Sequence, residues 1–558
     1  MLSTLLALGL APLPCGPTGP VTSTAVAALT AAPAADAVDD LIAEGKRQLV
    51  ARDAAGALES FEKAHAKSGG KERTELWILR GRLAKGDVSA FERVAAIEAG
   101  GAKSATLDYV IGAGRFAMGK ADEAKGGAKA GQFYDEAAAY LADVTANEPD
   151  AFPDAWRMLA EASRWVGRSE AAAGAIDRAL EQEKSAQTLV LASKIRVARG
   201  AQLMGAENSK ASGKRYVEQG VADAEAAASA FGDDPKEARA IGDVQLQRAL
   251  GLLFLERKKD ASGAYAAAMS WDPTMADYGQ IMGSLRGEDG DRLFIDTLKA
   301  GAKAFAERWG EKQNADAGLH WWLGYAQHYA GDYADSIGSF ETTLAKFPAY
   351  TNSHWYIGLN HYRTGLEAVP KAAESWKTYA KLDMAGFAAT LQSDATGAFG
   401  GAIGALWNDS RGGANLETAY ELAELVTRVK PDDAFSWNNL GLMGRDAGAW
   451  VKAAKPKNPR MSAAQYWEKA WTAYSRAIDM DKRPEYINDG AVLLHYYLER
   501  EYDKAIAMYD EAEALAKDWL ANRELSDSEK SIVEIALRDA GDNRAKLRAK
   551  IERQKGDG

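Results

Sequence analysis

An all-α solenoid, in which antiparallel helix pairs stack on one another, is the fold class that this 558-residue sequence predicts. Three recurrences predict it. The first is a small residue, an aromatic or aliphatic one four positions on and a third one three further: Ala57, Phe61, Ala64; Ala137, Leu141, Val144; Ala172, Ile176, Ala179; Ala261, Tyr265, Ala268; Ser336, Phe340, Thr343. Four more copies follow, at Ala372, Trp376, Tyr379; Ala419, Ala423, Val426; Ala470, Tyr474, Ala477; and Ala505, Tyr509, Ala512. The second is a proline at one fixed distance behind four copies, Pro149, Pro273, Pro348 and Pro431, where it stops a helix from continuing. The third lies upstream: Leu159-Ala160, Leu323-Gly324, Ile357-Gly358 and Leu440-Gly441, the first three followed seven residues on by Gly167, Gly331 and Gly365, which mark a turn.

The spacing has a physical cause. Two antiparallel helices approach closely only where side chains are small, so Gly or Ala takes the crossing points while Phe, Tyr or Trp fills the space beside them. One pair alone cannot bury its apolar faces. Stacking supplies the missing surface, which calls for several units and polar ends. A repeated architecture also suits a chain longer than the size at which a single core keeps growing.

Taken together, the pattern resembles the tetratricopeptide repeat, whose 34-residue unit runs W-x2-L-G-x2-Y, then A-x3-F, then P. Trp437-Asn-Asn-Leu440-Gly441 matches the opening, and Tyr333-Ala-Asp-Ser336 fits the lead into the second helix. The resemblance covers roughly residues 38 to 515, with interruptions. It implies a right-handed superhelix of helix-turn-helix repeats with insertions, its first helices lining a concave groove.

From the N-terminus, residues 1–37 hold no Lys or Arg and one acid, Asp36, with an apolar run Leu5 to Ala11 and then Pro, Thr, Ser and Ala. This reads as a secretory leader with small-x-small cleavage candidates at Ala25-Val26-Ala27 and Ala35-Asp36-Ala37, and implies export to the periplasm or cell envelope. Lipidation at Cys15 is the weaker alternative, because Pro14 stands where a lipobox has a small residue. Residues 38–273 form an N-terminal repeat array. Within it Gly114-Arg-Phe-Ala-Met-Gly119-Lys120 approaches a phosphate-binding loop, but the next residue, Ala121, has no hydroxyl for magnesium. Ile111-Gly112 also falls on the Leu-Gly position, with Gly119 at the turn, so the segment reads as helix.

Residues 274–316 form an irregular or degenerate helical unit, with helical periodicity over 292–309. An aromatic-rich repeat pair spans 317–384 and a Gly-rich insertion 385–415, of which 397–415 reads as a loop or loosely held helix. C-terminal repeats fill 416–515, broken by a basic insertion at 445–463. Its stretch VKAAKPKNPR is a solvated loop or a docking arm for an acidic partner. Residues 516–558 read as a capping helix and tail whose basic end suits the negative pole of a helix dipole.

Bulk composition excludes several functions. A net charge of -11 and a pI near 5.4 repel a polyphosphate backbone, so no nucleic-acid partner is expected. One cysteine excludes an internal disulfide framework and a multi-cysteine zinc site. No apolar stretch of the body approaches the roughly 20 residues that cross a bilayer. Motifs of the GxGxxG, HExxH, GxSxG and EF-hand kinds do not appear, so neither an enzyme nor a cofactor is expected.

The candidate site is the stretch HWWLGYAQHYAGDY at 320–333 and its neighbour repeat. Under the resemblance, groove positions counted from Ala317 are Gly318, Trp321, Tyr325, His328 and Tyr329; counted from Thr351 they are Asn352, Trp355, Leu359, Tyr362 and Arg363. Trp321, Tyr325 and Tyr329 share one helical face. Trp322, Tyr333 and Tyr356 fall outside the set and are expected between helices. The competing reading places the whole stripe in the core between repeats. His320 and His354 occupy the tryptophan position of the pattern and His361 its tyrosine position, which favours packing over metal ligation. The expected function is a non-enzymatic scaffold that takes a partner peptide or helix in the groove, with Trp321, Tyr325 and Trp355 as anchors and Arg363 for a carboxylate. The family's carboxylate clamp of Lys and Asn has no match here. The alternative function is an envelope protein stacking a glycan on the same aromatics.

Overall fold

A computed structural model describes residues 36–310, 316–408 and 413–556. Residues 1–35 of the leader-like segment, with Cys15 and Ala25-Val26-Ala27, lie outside the described residues, while Asp36 and Ala37 of the second cleavage candidate begin the first helix. The chain divides into two units, Met1–Ala315 and Asp316–Gly558. In the first, the helices are α1 (Asp36–Val50), α2 (Ala54–Ser68), α3 (Glu72–Ala84), α4 (Ala90–Ala99), α5 (Ala105–Glu123), α6 (Ala130–Asn147) and α7 (Ala155–Trp165). They continue as α8 (Ser169–Gln182), α9 (Ala186–Met204), α10 (Lys210–Phe231), α11 (Ala238–Phe254), α12 (Lys258–Trp271), α13 (Tyr278–Leu285) and α14 (Arg292–Trp309). The second unit opens with α15 (Ala317–Ala330), α16 (Tyr333–Lys346), α17 (Ser353–Thr364), α18 (Val369–Leu382), α19 (Met384–Ser393) and α20 (Ala398–Asn408). It closes with α21 (Ala414–Val429), α22 (Ala434–Ala454), α23 (Ala463–Met480), α24 (Pro484–Val492), α25 (Tyr502–Asn522) and α26 (Asp527–Gly556). Among the described residues there is no strand, only a lone bridge between Gly287 and Gly290.

Each unit is a row of antiparallel pairs: α1 with α2, α5 with α6 and α7 with α8 in the first, α15 with α16, α17 with α18 and α22 with α23 in the second. The all-α, stacked-pair architecture expected from the sequence is the one observed. Helices α6, α12, α16 and α21 end two residues before Pro149, Pro273, Pro348 and Pro431. The residue between takes an extended φ, −133° at Glu148, −149° at Asp272, −139° at Phe347 and −123° at Lys430, as a proline ring demands of the residue ahead of it. Gly331 turns α15 into α16 at φ 83°, a left-handed conformation that side chains with a Cβ rarely take.

The recurring triplets are core. Every one of their residues is buried except Val426, which is half-buried. The glycine of the first helix makes room for the large residue of the second. A Cβ on Gly324 would lie 2.9 Å from the Phe340 ring and one on Gly441 2.6 Å from Tyr474. On Gly358 it would overlap the Trp376 indole.

Several expectations need correcting. Gly119 is no turn: α5 runs on to Glu123, and the glycine sits against the Tyr134 ring, 2.9 Å from where its Cβ would be. Of the two readings of the Gly-rich segment, helix holds for its first part, and a firmly packed one: Ala398–Asn408 forms α20 with Ala398, Phe399, Ala402, Ile403 and Leu406 buried. The basic insertion begins as helix, since α22 continues to Ala454. Beyond it the Arg460 amide donates to Glu417 Oε1 at 2.9 Å and its guanidinium pairs with Glu421, while Lys452 lies 5.3 Å from the Trp467 ring centre. The boundary drawn after residue 515 falls inside α25, which runs to Asn522 before α26 folds back.

One buried ionic network holds first helices of the first unit in register. Arg80 of α3 donates to Asp154 Oδ2 at 2.6 Å and to the Tyr109 hydroxyl at 2.8 Å, and that hydroxyl donates to Asp154 Oδ1 at 2.6 Å. Phe152 stacks on Tyr109 at 4.4 Å, and Lys46 of α1 donates to the Ala151 carbonyl at 2.9 Å. With both charges paired and sealed, the network is a structural clamp: removing one partner strands the other in the core.

Candidate partner-binding face

The aromatic stretch folds as α15, and its stripe turns toward α17. Trp321 and Tyr325 stack with ring centres 5.3 Å apart and planes 18° apart, and Tyr325 meets Tyr329 at 4.7 Å. From α17, Tyr356 closes the ladder from the side, edge-on to Trp321 at 5.7 Å and to Tyr325 at 5.6 Å. Its own ring stacks on Phe340 at 5.2 Å, so the ladder stands on the core. Edge-to-face and offset-stacked geometries such as these add about 0.5–1.5 kcal/mol per pair beyond area burial, which fixes the rotamers before any ligand arrives.

Polar groups lock the same surface. Trp321 Nε1–H donates to Asn352 Oδ1 at 3.2 Å. His328 Nδ1 meets Asn360 Oδ1 at 2.6 Å, Asn360 Nδ2 donates to Ser336 Oγ at 2.7 Å, and Ser336 Oγ donates to the Gly324 carbonyl at 2.6 Å. Because Asn360 presents its carbonyl to the ring, His328 carries its proton on Nδ1 and keeps Nε2 as an acceptor. Burial, with the Arg363 charge as a further cause, holds His328 below the usual imidazole range, so the ring is neutral near pH 7.

Exposure sorts the sequence-predicted residues. Tyr329 is 63% exposed and Arg363 is exposed; Trp321, Tyr325, His328 and Tyr362 are half-buried. Trp355 is a correction: at 5% exposure it belongs to the core and cannot anchor a partner. The cause is the insertion. Phe399 of α20 lies parallel to the Trp355 ring at 6.4 Å, and Phe387 of α19 packs against it edge-on at 6.2 Å. Gly401 of α20 likewise accommodates the Tyr362 hydroxyl. Helices α19 and α20 therefore cover Trp355 and pack against Tyr362, two of the α17 positions that would have continued the groove.

Tyr356, expected between helices, bridges the core and the ladder, and Asn360 was missed altogether. Its signal was available, since Asn352, Tyr356, Asn360 and Arg363 share one face of α17 by their spacing of four, four and three. His320, His354 and His361 are half-buried and, chiefly through burial, titrate below the usual imidazole range. Among the described residues no group of three His, Cys, Asp or Glu side chains is placed to hold a metal ion, and no helix is long and apolar enough to cross a membrane.

No protein-family model and no curated protein matches the chain. Among solved structures it is similar to the C-terminal part of a TPR repeat-containing protein from Cytophaga hutchinsonii, at 12% identity and a TM-score of 0.24, over 64% of this chain and 94% of that one. It is also similar to the TPR domain of P58(IPK), at 15% identity and a TM-score of 0.17, over 77% of this chain and 98% of that one. Neither likeness assigns a role to any residue of the present chain.

Proposed function

We propose that this protein is a non-enzymatic interaction scaffold that takes a peptide or helix of a partner protein on the aromatic face of α15 and α17. The observation that supports the reading best is Tyr329, 63% exposed at the open end of the stacked Trp321–Tyr325–Tyr329 ladder. Rigid aromatic side chains lose little entropy on binding and dominate interface energies, and Arg363 supplies a cation for a partner carboxylate. An exported address, read from the leader, belongs to the same proposal, and fractionation of the native source with an antibody to the chain tests it.

A random-peptide library selected on the full chain tests the face. Selected peptides lose about 2 kcal/mol or more, roughly thirtyfold in Kd, on Trp321→Ala or Tyr329→Ala, the range of a true hot spot. Phe435→Ala, at an exposed apolar residue of α22, leaves them unaffected. Equal binding by the Trp321 and Tyr329 variants removes the proposal, and saturable binding of oligosaccharides in place of peptides moves it to the glycan reading.

A further inference from the structure

Two tryptophans close the outer notch of their repeats in the same way. Trp156 and Trp437 each stand three residues ahead of the Leu159-Ala160 or Leu440-Gly441 pair. Trp156 Nε1–H donates to the Pro149 carbonyl at 2.8 Å, and Trp437 Nε1–H to the Pro431 carbonyl at 2.8 Å. An arginine of the following second helix covers each indole: Arg178 at 5.6 Å from Trp156, Arg476 at 4.3 Å from Trp437. Tryptophan and arginine thus fill the notch between the second helix of one repeat and that of the next.

The repeat made by α17 and α18 keeps the proline, Pro348, and lacks both fillers. Three residues ahead of Ile357-Gly358 stands His354, and two residues past Trp376, where Arg178 follows Ile176 and Arg476 follows Tyr474, stands Thr378. Here a cleft of about 460 Å³ is open, its walls including Glu341 and Leu344 from α16, His354, Ile357 and His361 from α17, and Lys371, Glu374 and Thr378 from α18. These α17 residues lie on a face turned away from Tyr356 and Asn360, so the cleft is separate from the aromatic ladder. Burial keeps both imidazoles neutral near pH 7, which gives the cleft two uncharged π faces above an apolar floor.

We infer that this cleft is a second docking surface, which takes from a partner protein the aromatic side chain that the repeats of Trp156 and Trp437 supply from their own sequence. The partner segment carries a tryptophan beside a basic residue, the latter matched to the Glu341 and Glu374 carboxylates, which outnumber the one cation of the lining, Lys371. The occupant restores in trans the tryptophan-and-cation filling found at Trp156 and Trp437.

Isothermal titration of the full chain with the peptides acetyl-Gly-Arg-Trp-Arg-Gly-amide and acetyl-Gly-Arg-Ala-Arg-Gly-amide tests this. The tryptophan peptide binds and the alanine peptide binds at least about tenfold more weakly. The double variant His354→Trp, Thr378→Arg rebuilds the internal filling, keeps its helical circular dichroism and melting temperature, and loses at least about tenfold in affinity for the tryptophan peptide. Should it misfold, Thr378→Arg alone adds a second cation to the Lys371 already lining the cleft and produces the same loss. Trp321→Ala leaves the affinity unchanged, which separates this surface from the ladder. Absence of binding to the unaltered chain, equal binding by the filled variants, or loss with Trp321→Ala overturns the inference.

Discussion

Gly358 shows how one residue decides a repeat. The indole that its missing Cβ admits cannot retreat, because Trp376 is fully buried and its Nε1–H donates to the Trp355 carbonyl at 3.1 Å. Gly358→Ala is therefore expected to cost about 1–3 kcal/mol, the usual penalty for overpacking a core. Gly338, exposed on α16 with nothing within 4 Å of a built Cβ, is the control. There alanine is neutral or stabilises by up to about 1 kcal/mol through helix propensity. Urea unfolding of both variants checks the pair; equal losses would mean that the glycines of the Leu-Gly positions are not there for close packing. At this scale the sequence was readable where a residue repeats. Leu-Gly pairs and their large partners announce themselves by register, because each repeat solves the same packing problem. Trp355 was misread for the opposite reason: position within a repeat says nothing of what an insertion lays over it.

At the scale of elements, α20 carries the lesson. Its glycines lower helix propensity, and that weighting concealed a stripe present all along: Ala398, Phe399, Ala402, Ile403 and Leu406 follow helical spacing. Burial against Trp355 and Trp376 outweighs propensity, as tertiary contact does for most helices. Phe399→Ala is expected to destabilise the chain by about 3–5 kcal/mol, the cost of an aromatic cavity. It also lets water reach Trp355, so tryptophan emission shifts to the red before unfolding; an unshifted spectrum would argue that α20 does not seal this tryptophan. Helices marked by prolines were legible to their ends, since a pyrrolidine ring has the same effect in every repeat. The clamp of Arg80, Tyr109 and Asp154 was not, because its members are far apart in sequence and each alone looks like an ordinary helix residue.

Across the whole molecule, histidine burial sets the response to acid. Burial lowers His320, His328, His354 and His361 from their usual range and, with Lys550 and Lys546 nearby, His495 to about 4. Below the unfolded value of about 6.5, the unfolded chain binds more protons than the folded one, so stability falls as pH falls. Asp489, raised to about 6 chiefly by burial, and Asp108 and Asp223, raised from the same cause, act in the opposite sense above the usual carboxylate value, and are outnumbered. Melting temperature is thus expected to drop as pH goes from 7 to 4, with His495→Gln flattening the lower part of the curve. A melting temperature that holds or rises over that interval would contradict the buried, neutral assignment of these rings.

The open aromatic face of α15 and α17 is proposed to bind a partner, while Phe387 of α19 and Phe399 of α20 cover Trp355. Hydrogen exchange of the full chain, followed by mass spectrometry with and without a library-selected peptide, tests it most directly. Slowed exchange concentrated in 317–330 and 353–364 is the expected result. Protection confined to 398–408, or to the first unit, would contradict it.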